Sequence, residues 1–129
     1  MPFIIFTYIN KMFFNAKTEA DIDNLITSGA DINAQDSFFG QTYLHILVQS
    51  SCSLFDYFLT KGPDTNIQNK TGKTPIYYAK NITTIEKLIK HGATILVKDI
   101  NGQTPCDTNY QISNYITYYA NNIKNKLVA

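Results

Sequence analysis

Gly72-Lys73-Thr74-Pro75-Ile76-Tyr77 decides the reading of this chain, because the same pattern occurs three times. Its counterparts are Gly40-Gln41-Thr42-Tyr43-Leu44-His45 and Gly102-Gln103-Thr104-Pro105-Cys106-Asp107, with the glycines 32 and then 30 residues apart. A second mark lies between them: Gly29-Ala30-Asp31-Ile32-Asn33, Gly62-Pro63-Asp64-Thr65-Asn66 and Gly92-Ala93-Thr94-Ile95-Leu96, at steps of 33 and 30. Two independent marks recurring at nearly one period define a repeat array.

Each mark has a mechanical meaning. In Gly-x-Thr-Pro the glycine allows a turn with positive φ. Threonine is an N-cap whose oxygen accepts an orphan backbone N–H, and proline at the first helical position gives up an N–H the helix cannot use. Short helices are therefore expected after Thr42, Thr74 and Thr104. In the second mark Gly29, Gly62 and Gly92 end a helix. Lys61 and Lys90-His91 precede two of these glycines, where positive charge suits a helix C-terminus. Between the marks lies a second helix per unit, with candidate caps Thr18-x-x-Asp21, Ser53-x-x-Asp56 and Thr83-x-x-Glu86. Behind the caps, Ile22, Leu25 and Ile26, then Phe55, Phe58 and Leu59, then Ile85, Leu88 and Ile89 follow helical spacing. A helix with one apolar face cannot bury it alone; stacking neighbouring pairs does so.

The period near 33, with Thr42-Tyr43-Leu44-His45, Thr74-Pro75-Ile76-Tyr77 and Gly29-Ala30-Asp31-Ile32-Asn33, resembles the ankyrin repeat over about residues 18–119. The resemblance implies an all-α helical-repeat solenoid of stacked helix-turn-helix units with extended finger turns. It divides the single domain 1–129 into N-terminal capping helices 1–33, a repeat 36–68, a shortened repeat 69–98, and a terminal repeat with C-terminal capping helix 99–129. It implies that His45 hydrogen-bonds backbone groups and ties loops together, and that Thr42, Thr74, Pro75, Thr104 and Pro105 are structural. It also implies binding of another protein through the fingers and a concave face, with contacts at the finger tips Ser37, Phe38, Phe39, Lys70, Thr71, Ile100 and Asn101. Small degenerate arrays of this composition look like ankyrin proteins of Rickettsia-like intracellular bacteria or of large DNA viruses. That likeness implies a cytoplasmic protein, or one delivered into a host cell to act on host proteins.

The units depart from the family pattern in several places. Tyr43 replaces the helix-starting proline, Tyr77 and Asp107 replace histidine, and Thr94 and Leu96 replace Asp and Asn in the third finger. Three residues are missing around Lys80-Asn81-Ile82, and the last unit keeps that shortened frame, so its first helix is expected to be barely one turn. Asn33 to Thr42 spans nine residues against eight from Asn66 to Thr74, and the extra one falls around Ser37-Phe38-Phe39-Gly40. Two adjacent phenylalanines there cannot both turn inward: at least one faces solvent or a partner, or one packs over the neighbouring finger. The last helix, about Ser113 to Leu127, carries a stripe of Ile112, Tyr115, Ile116, Tyr119, Ile123 and Leu127, with Asn122, Lys124, Asn125 and Lys126 opposite. The start, Met1-Pro2-Phe3-Ile4-Ile5-Phe6, reads as a capping helix, and Met12 is an alternative initiator.

Composition excludes several functions. Apolar residues make up 44% and charged residues 16%, enough for a core and against disorder. All eleven basic residues are lysine and the net charge is +1, which argues against nucleic-acid recognition. Neither a signal peptide nor a membrane span is evident. Two cysteines without a CxxC point to reduced thiols. His45, Cys52, His91 and Cys106 match no zinc-ligand spacing; His91 reads as a helix-end charge. No catalytic motif occurs, so no cofactor is expected. The reading is a monomeric protein-binding scaffold, not an enzyme. The alternatives are a self-associating module or remnant of a longer array, and an enzyme of unrecognised class.

Overall fold

The computed structural model describes residues 11–50 and 52–128, and in them helix pairs lie side by side, joined by extended fingers. The helices are α1 (Glu19–Thr27), α2 (Tyr43–Gln49), α3 (Leu54–Thr60), α4 (Ile82–Lys90), α5 (Pro105–Thr108) and α6 (Tyr110–Val128), with 3-10 turns at Met12–Asn15 and Pro75–Tyr78. The first helices α2, Pro75–Tyr78 and α5 touch in chain order and form one row; α1, α3, α4 and α6 form the other. No strand occurs among the described residues, and the only β-type pairing there is an isolated bridge between Gln35 and Thr42. The expected capping helix at residues 1–6 lies outside the described residues.

One continuous core runs along the seam between the rows. Leu44, Phe58, Ile76, Ile85, Leu88 and Ile112 are all at most 1% exposed, drawn from three successive units. Burying side chains of this size is worth about 1.5–3 kcal/mol each, and only a neighbouring unit can supply the cover. Tyr43 explains its own departure from proline. Its ring lies 5.0 Å from Phe58 and 6.0 Å from Phe13 between centroids, and its hydroxyl donates to the Ala16 carbonyl at 3.2 Å. Tyr43 thus fastens the N-terminal turn to the first unit.

The second row is stitched on its outer side. The Tyr57 hydroxyl on α3 donates to the Asp23 carboxylate on α1, which also pairs with Lys61 at 2.9 Å. Lys87 on α4 meets Asp56 on α3 at 2.7 Å, and Tyr119 on α6 donates to Glu86 on α4 at 2.8 Å. The bond to Glu86 pushes the Tyr119 hydroxyl pKa up to about 12. Exposed ties of this kind set register more than stability.

Helices begin after Thr42, Thr74 and Thr104, but the threonines do not act alike. Thr42 Oγ1 accepts from His45 N–H at 3.4 Å. The other two helices are single turns, so the N–H of Tyr77 and of Asp107 closes onto the cap carbonyl instead, at 3.1 and 3.0 Å. The buried Thr74 hydroxyl has no partner among the described residues, and Thr104 Oγ1 donates to Asp107 at 3.0 Å. Thr18 forms the expected box with Asp21. The other two second-helix caps need correction. Ser53 has helical φ and ψ of −61° and −20°, which keep its oxygen away from the first turn. Thr83 lies inside α4, whose cap is Asn81; extended at φ −152°, Asn81 accepts from Thr84 N–H at 2.8 Å. The missing residues leave only Ala79–Asn81 between the helices, which moves the start back.

The last helix also differs. It starts at Tyr110, because Asn109 Oδ1 accepts from Gln111 N–H at 3.0 Å. Its stripe is covered only in the first half: Ile112 is fully buried, while Ile116, Tyr119, Ile123 and Leu127 are 36%, 39%, 57% and 81% exposed. At about 1.5 Å per residue, α6 with 19 residues outruns α4 with nine, and its outer half has no helix among the described residues to lie against.

Two glycines separate backbone strain from close packing. Gly29 has φ +87° and open space around a Cβ; Gly72 has φ +78°, and a Cβ there would stand 2.8 Å from Ile100 N and 2.9 Å from Asp99 Cα. Gly29→Ala is expected to cost about 1–2 kcal/mol, the left-handed penalty alone. Gly72→Ala is expected to cost about 1–3 kcal/mol more, because it also wedges the second finger off the third. Urea unfolding of the two variants measures the difference.

Candidate functional site

The fingers are built by one polar residue each. Asp36 Oδ1 accepts from Phe38 and Phe39 N–H at 2.8 and 2.7 Å, and Oδ2 from Gln41 N–H at 2.8 Å. Asn69 Oδ1 accepts from the N–H of Thr71 and Lys73, both at 3.0 Å, and Asp99 Oδ1 from Asn101 and Gln103 N–H at 2.9 and 3.0 Å. Short side chains that accept from their own backbone lock tight turns. Burial raises the Asp36 pKa, but the three N–H donors and Lys70 outweigh it, and the carboxyl sits below its ordinary value.

The extra residue of the first finger lies inside its tip. Gly40 N–H bonds back to Asp36 O, a five-residue turn; Gly72 bonds to Asn69 O and Gly102 to Asp99 O, four-residue turns. The wider turn throws both aromatic rings outward, Phe38 at 83% and Phe39 at 69% exposed. Neither is packed over the next finger, so that alternative is corrected. Ser37, Lys70, Thr71, Ile100 and Asn101 are also exposed, and the geometry brings all seven residues together along the row of tips. Backbone bonds fasten that row: Lys70 N–H to Phe39 O at 2.9 Å, and Ile100 N–H to Thr71 O at 3.0 Å. Lys70 Nζ also donates to Ser37 O at 2.5 Å.

Under the fingers, His45 is wholly buried. Its Nε2–H donates to Lys73 O at 2.9 Å, across the boundary to the next unit, and Nδ1 accepts from Thr42 N–H at 3.0 Å. A carbonyl can only accept, so the ring is the neutral Nε2–H tautomer, with no lone pair left for a metal. Tyr77 does the same work one unit on. Its hydroxyl sits 2.7 Å from Gln103 O, the position matching Lys73, and 2.5 Å from Val97 O. Asp107, third in the series, reaches only its own cap, accepting from Thr104 N–H at 2.8 Å.

Several site residues carry no role in the sequence reading above. Gln35 Nε2 donates to Gln68 O at 3.0 Å, and Gln68 Nε2 to Lys98 O at 3.1 Å. Asn33 Oδ1 accepts from Asp64 N–H at 2.8 Å, and Asn66 Oδ1 from Thr94 N–H at 3.0 Å. The signal was available: each set recurs at the glycine period. His91 is exposed at the end of α4, with Nδ1 2.7 Å from Lys87 O. Cys52 and Cys106 are unbridged and half-buried, and burial pushes the Cys106 thiol pKa up. No helix among the described residues is long and apolar enough to cross a membrane.

Stacked helix pairs joined by hydrogen-bonded fingers define a helical-repeat solenoid, whose surface is a recognition surface. A family model of ankyrin repeats (three copies) matches residues 13–105, and the chain belongs to the ankyrin repeat family. It is 36% identical over 96 residues to an ankyrin repeat protein of Rickettsia felis, covering 65% of this chain and 42% of that protein. It is 32% identical over 103 residues to an ankyrin repeat protein of fowlpox virus, covering 73% of this chain and 30% of that one. The chain thus spans less than half the length of either relative. Ankyrin repeats act as protein-interaction scaffolds and are generally not enzymes.

His45 predicts a pH dependence. Burial lowers its pKa from 6.5, against the raising effects of the Lys73 carbonyl and Asp36. The stability that rests on the neutral ring is complete above the unfolded value of 6.5 and is lost as pH falls below it towards the folded one. The urea midpoint is expected to drop between pH 7.5 and 5.5. His45→Gln, which takes the ring acceptor from the buried Thr42 N–H, is expected to cost about 2–4 kcal/mol at pH 7.5 and to flatten that drop.

Proposed function

We propose that the protein is a binding scaffold whose finger tips, Ser37, Phe38, Phe39, Lys70, Thr71, Ile100 and Asn101, contact a partner protein. The observation that carries this reading is the pair of large aromatic rings held out at the first tip, at 83% and 69% exposure. Exposed rings on a fixed backbone make interface anchors, because little ordering entropy is lost on binding. With a net charge of +1 and no arginine, shape and apolar contact favour the partner more than a field does. The relatives in a rickettsia and a poxvirus support a host protein as that partner, met in the cytoplasm or after delivery into the host cell. The protein works as a monomer, without a cofactor.

A second reading, self-association, is favoured by the uncovered outer half of α6, where Ile123 and Leu127 lie open. A mass by light scattering that rises with concentration, and returns to the monomer in Ile123→Lys, would replace the first reading by this one.

Crosslinking in the native cell followed by mass spectrometry tests the scaffold. A partner recovered by the wild-type chain is expected to be lost, at least about tenfold, from the Phe38→Ala/Phe39→Ala double variant. Both rings are exposed, so the variant's stability is expected to change by less than about 0.5 kcal/mol. Equal recovery by the two proteins would remove the tips from the interface.

A further inference from the structure

The residues three places after the cap threonines, His45, Tyr77 and Asp107, differ in their response to acid. Both nitrogens of His45 are committed: Nε2–H donates to Lys73 O at 2.9 Å, and Nδ1 accepts from Thr42 N–H at 3.0 Å. An imidazolium carries a hydrogen on each nitrogen, so a proton on Nδ1 sets one donor against another. Thr42 Oγ1, 2.9 Å from Nδ1, can take the new hydrogen. The Thr42 N–H is still left without its acceptor, and at 1% exposure the residue is too buried for water to replace it.

Few charged or titratable groups face the ring. Asp36 of the first finger favours its charged form, and Lys73 of the second offers its carbonyl. The Tyr78 ring meets it edge-on at 6.2 Å, with the hydroxyl accepting from Asn69 Nδ2–H. Around α3, Asp56, Tyr57 and Lys61 are engaged with Lys87 and Asp23 instead, and the Met12–Asn15 turn carries no titratable side chain.

Thr42 is the root of the first finger. Its neighbour Gln41 closes that finger onto Asp36 through both its N–H and its carbonyl. The first finger meets the second through Lys70 N–H to Phe39 O and Asp64 N–H to Asn33 Oδ1. The second meets the third through the matching bonds, Ile100 N–H to Thr71 O and Thr94 N–H to Asn66 Oδ1. There, however, Tyr77 stands in place of the histidine, and burial and the Asp99 charge move its hydroxyl pKa above 10.0, away from acid. The other histidine, His91, is exposed at the end of α4, where positive charge is favourable.

We propose that His45 is an acid-sensitive latch: its protonation frees the first finger, with Phe38 and Phe39, from the second, while the second and third stay joined. Mild acid thus withdraws one finger from the binding surface without unfolding the array. The consequence for a partner rests on the reading of the tips as its site; the latch itself does not. The fold holds the neutral ring, so the latch is closed above 6.5 and weakens as pH falls below it. The closed-to-open ratio changes by up to about tenfold per pH unit, down to the folded value.

Amide hydrogen exchange of the isotope-labelled chain, corrected for its intrinsic pH dependence, reads both junctions between pH 7.5 and 5.5. Protection of the Lys70 and Asp64 amides is expected to fall about threefold to tenfold, while Ile100 and Thr94 keep theirs. Ring nitrogen shifts are expected to place the proton on Nε2 at pH 7.5. Tyr77→His puts an imidazole beside the unpartnered Thr74 hydroxyl and facing Gln103 O; it is expected to make Ile100 and Thr94 acid-sensitive too. His45→Gln is expected to remove the response of Lys70 and Asp64; if it does not fold, Tyr77→His still decides. Equal loss at both junctions, no loss at the first, or a Tyr77→His chain whose second junction ignores acid would overturn the latch. Recovery of the crosslinked partner is expected to fall over the same pH range. Recovery that holds at pH 5.5 while the first junction opens would remove Phe38 and Phe39 from the partner site, a failure of the tip reading and not of the latch.

Discussion

The buried His45 ring joins two units, and the array depends on it: it accepts from the Thr42 N–H of its own unit and donates to Lys73 O of the next, a carbonyl that also takes Asn69 N–H from its own finger. Unpaired buried backbone groups cost about 1–3 kcal/mol each, comparable to a large part of the margin of a short repeat protein. His45 gives Lys73 O a second donor, and the Tyr77 hydroxyl sits between Gln103 O and Val97 O of the following finger. The two side chains differ in chemistry and share one geometry: a rigid ring with a donor at its far end, rooted in a first helix and pointed at the next finger. Asp107 is too short to reach onward and turns back to Thr104. The series His, Tyr, Asp thus reads as link, link, terminus.

The same logic accounts for first helices that are too short to serve themselves. A helix of seven residues or of one turn leaves most of its C-terminal carbonyls without an internal partner. Here the following unit reaches back. Lys80 Nζ donates to Gln49 O at 2.7 Å, and Asn109 Nδ2 to Tyr77 O and Ala79 O at 3.1 and 2.8 Å. Deleting the residues between the two helices of a unit is therefore tolerated: the helix contracts to one turn, and one asparagine covers the exposed ends. Bonds run forward through His45 and Tyr77 and backward through Lys80 and Asn109, so each unit is held in both directions.

The fold was legible because glycine and threonine mark backbone geometry directly, and geometry repeats. Positions that depend on a neighbour were less legible. Ser53 and Thr83 have the right side chains for caps, yet one sits in helical backbone and the other inside α4, since the shortened connection shifts the frame. The stripe on α6 was read correctly as a stripe; its exposure follows from the length of α4, which no local pattern in α6 encodes. At the candidate site, Phe38 and Phe39 stood out as an insertion. Gln35, Gln68, Asn33 and Asn66 did not, because amides are common on surfaces and only the neighbouring finger reveals what they hold.

Rigidity and openness are produced by the same bonds. A finger is a loop, and loops are ordinarily the mobile part of a fold. Here each tip is closed by an Asp or Asn within itself and bonded to the next tip, so three loops behave as one ribbed surface. That lowers the ordering cost of binding. The hand-over has a direction that the sequence records: Leu96 and Lys98 stand in the third finger where Asn33 and Asn66, and Gln35 and Gln68, stand in the first two, so the third finger receives from the second and has no amide of that set to hand on.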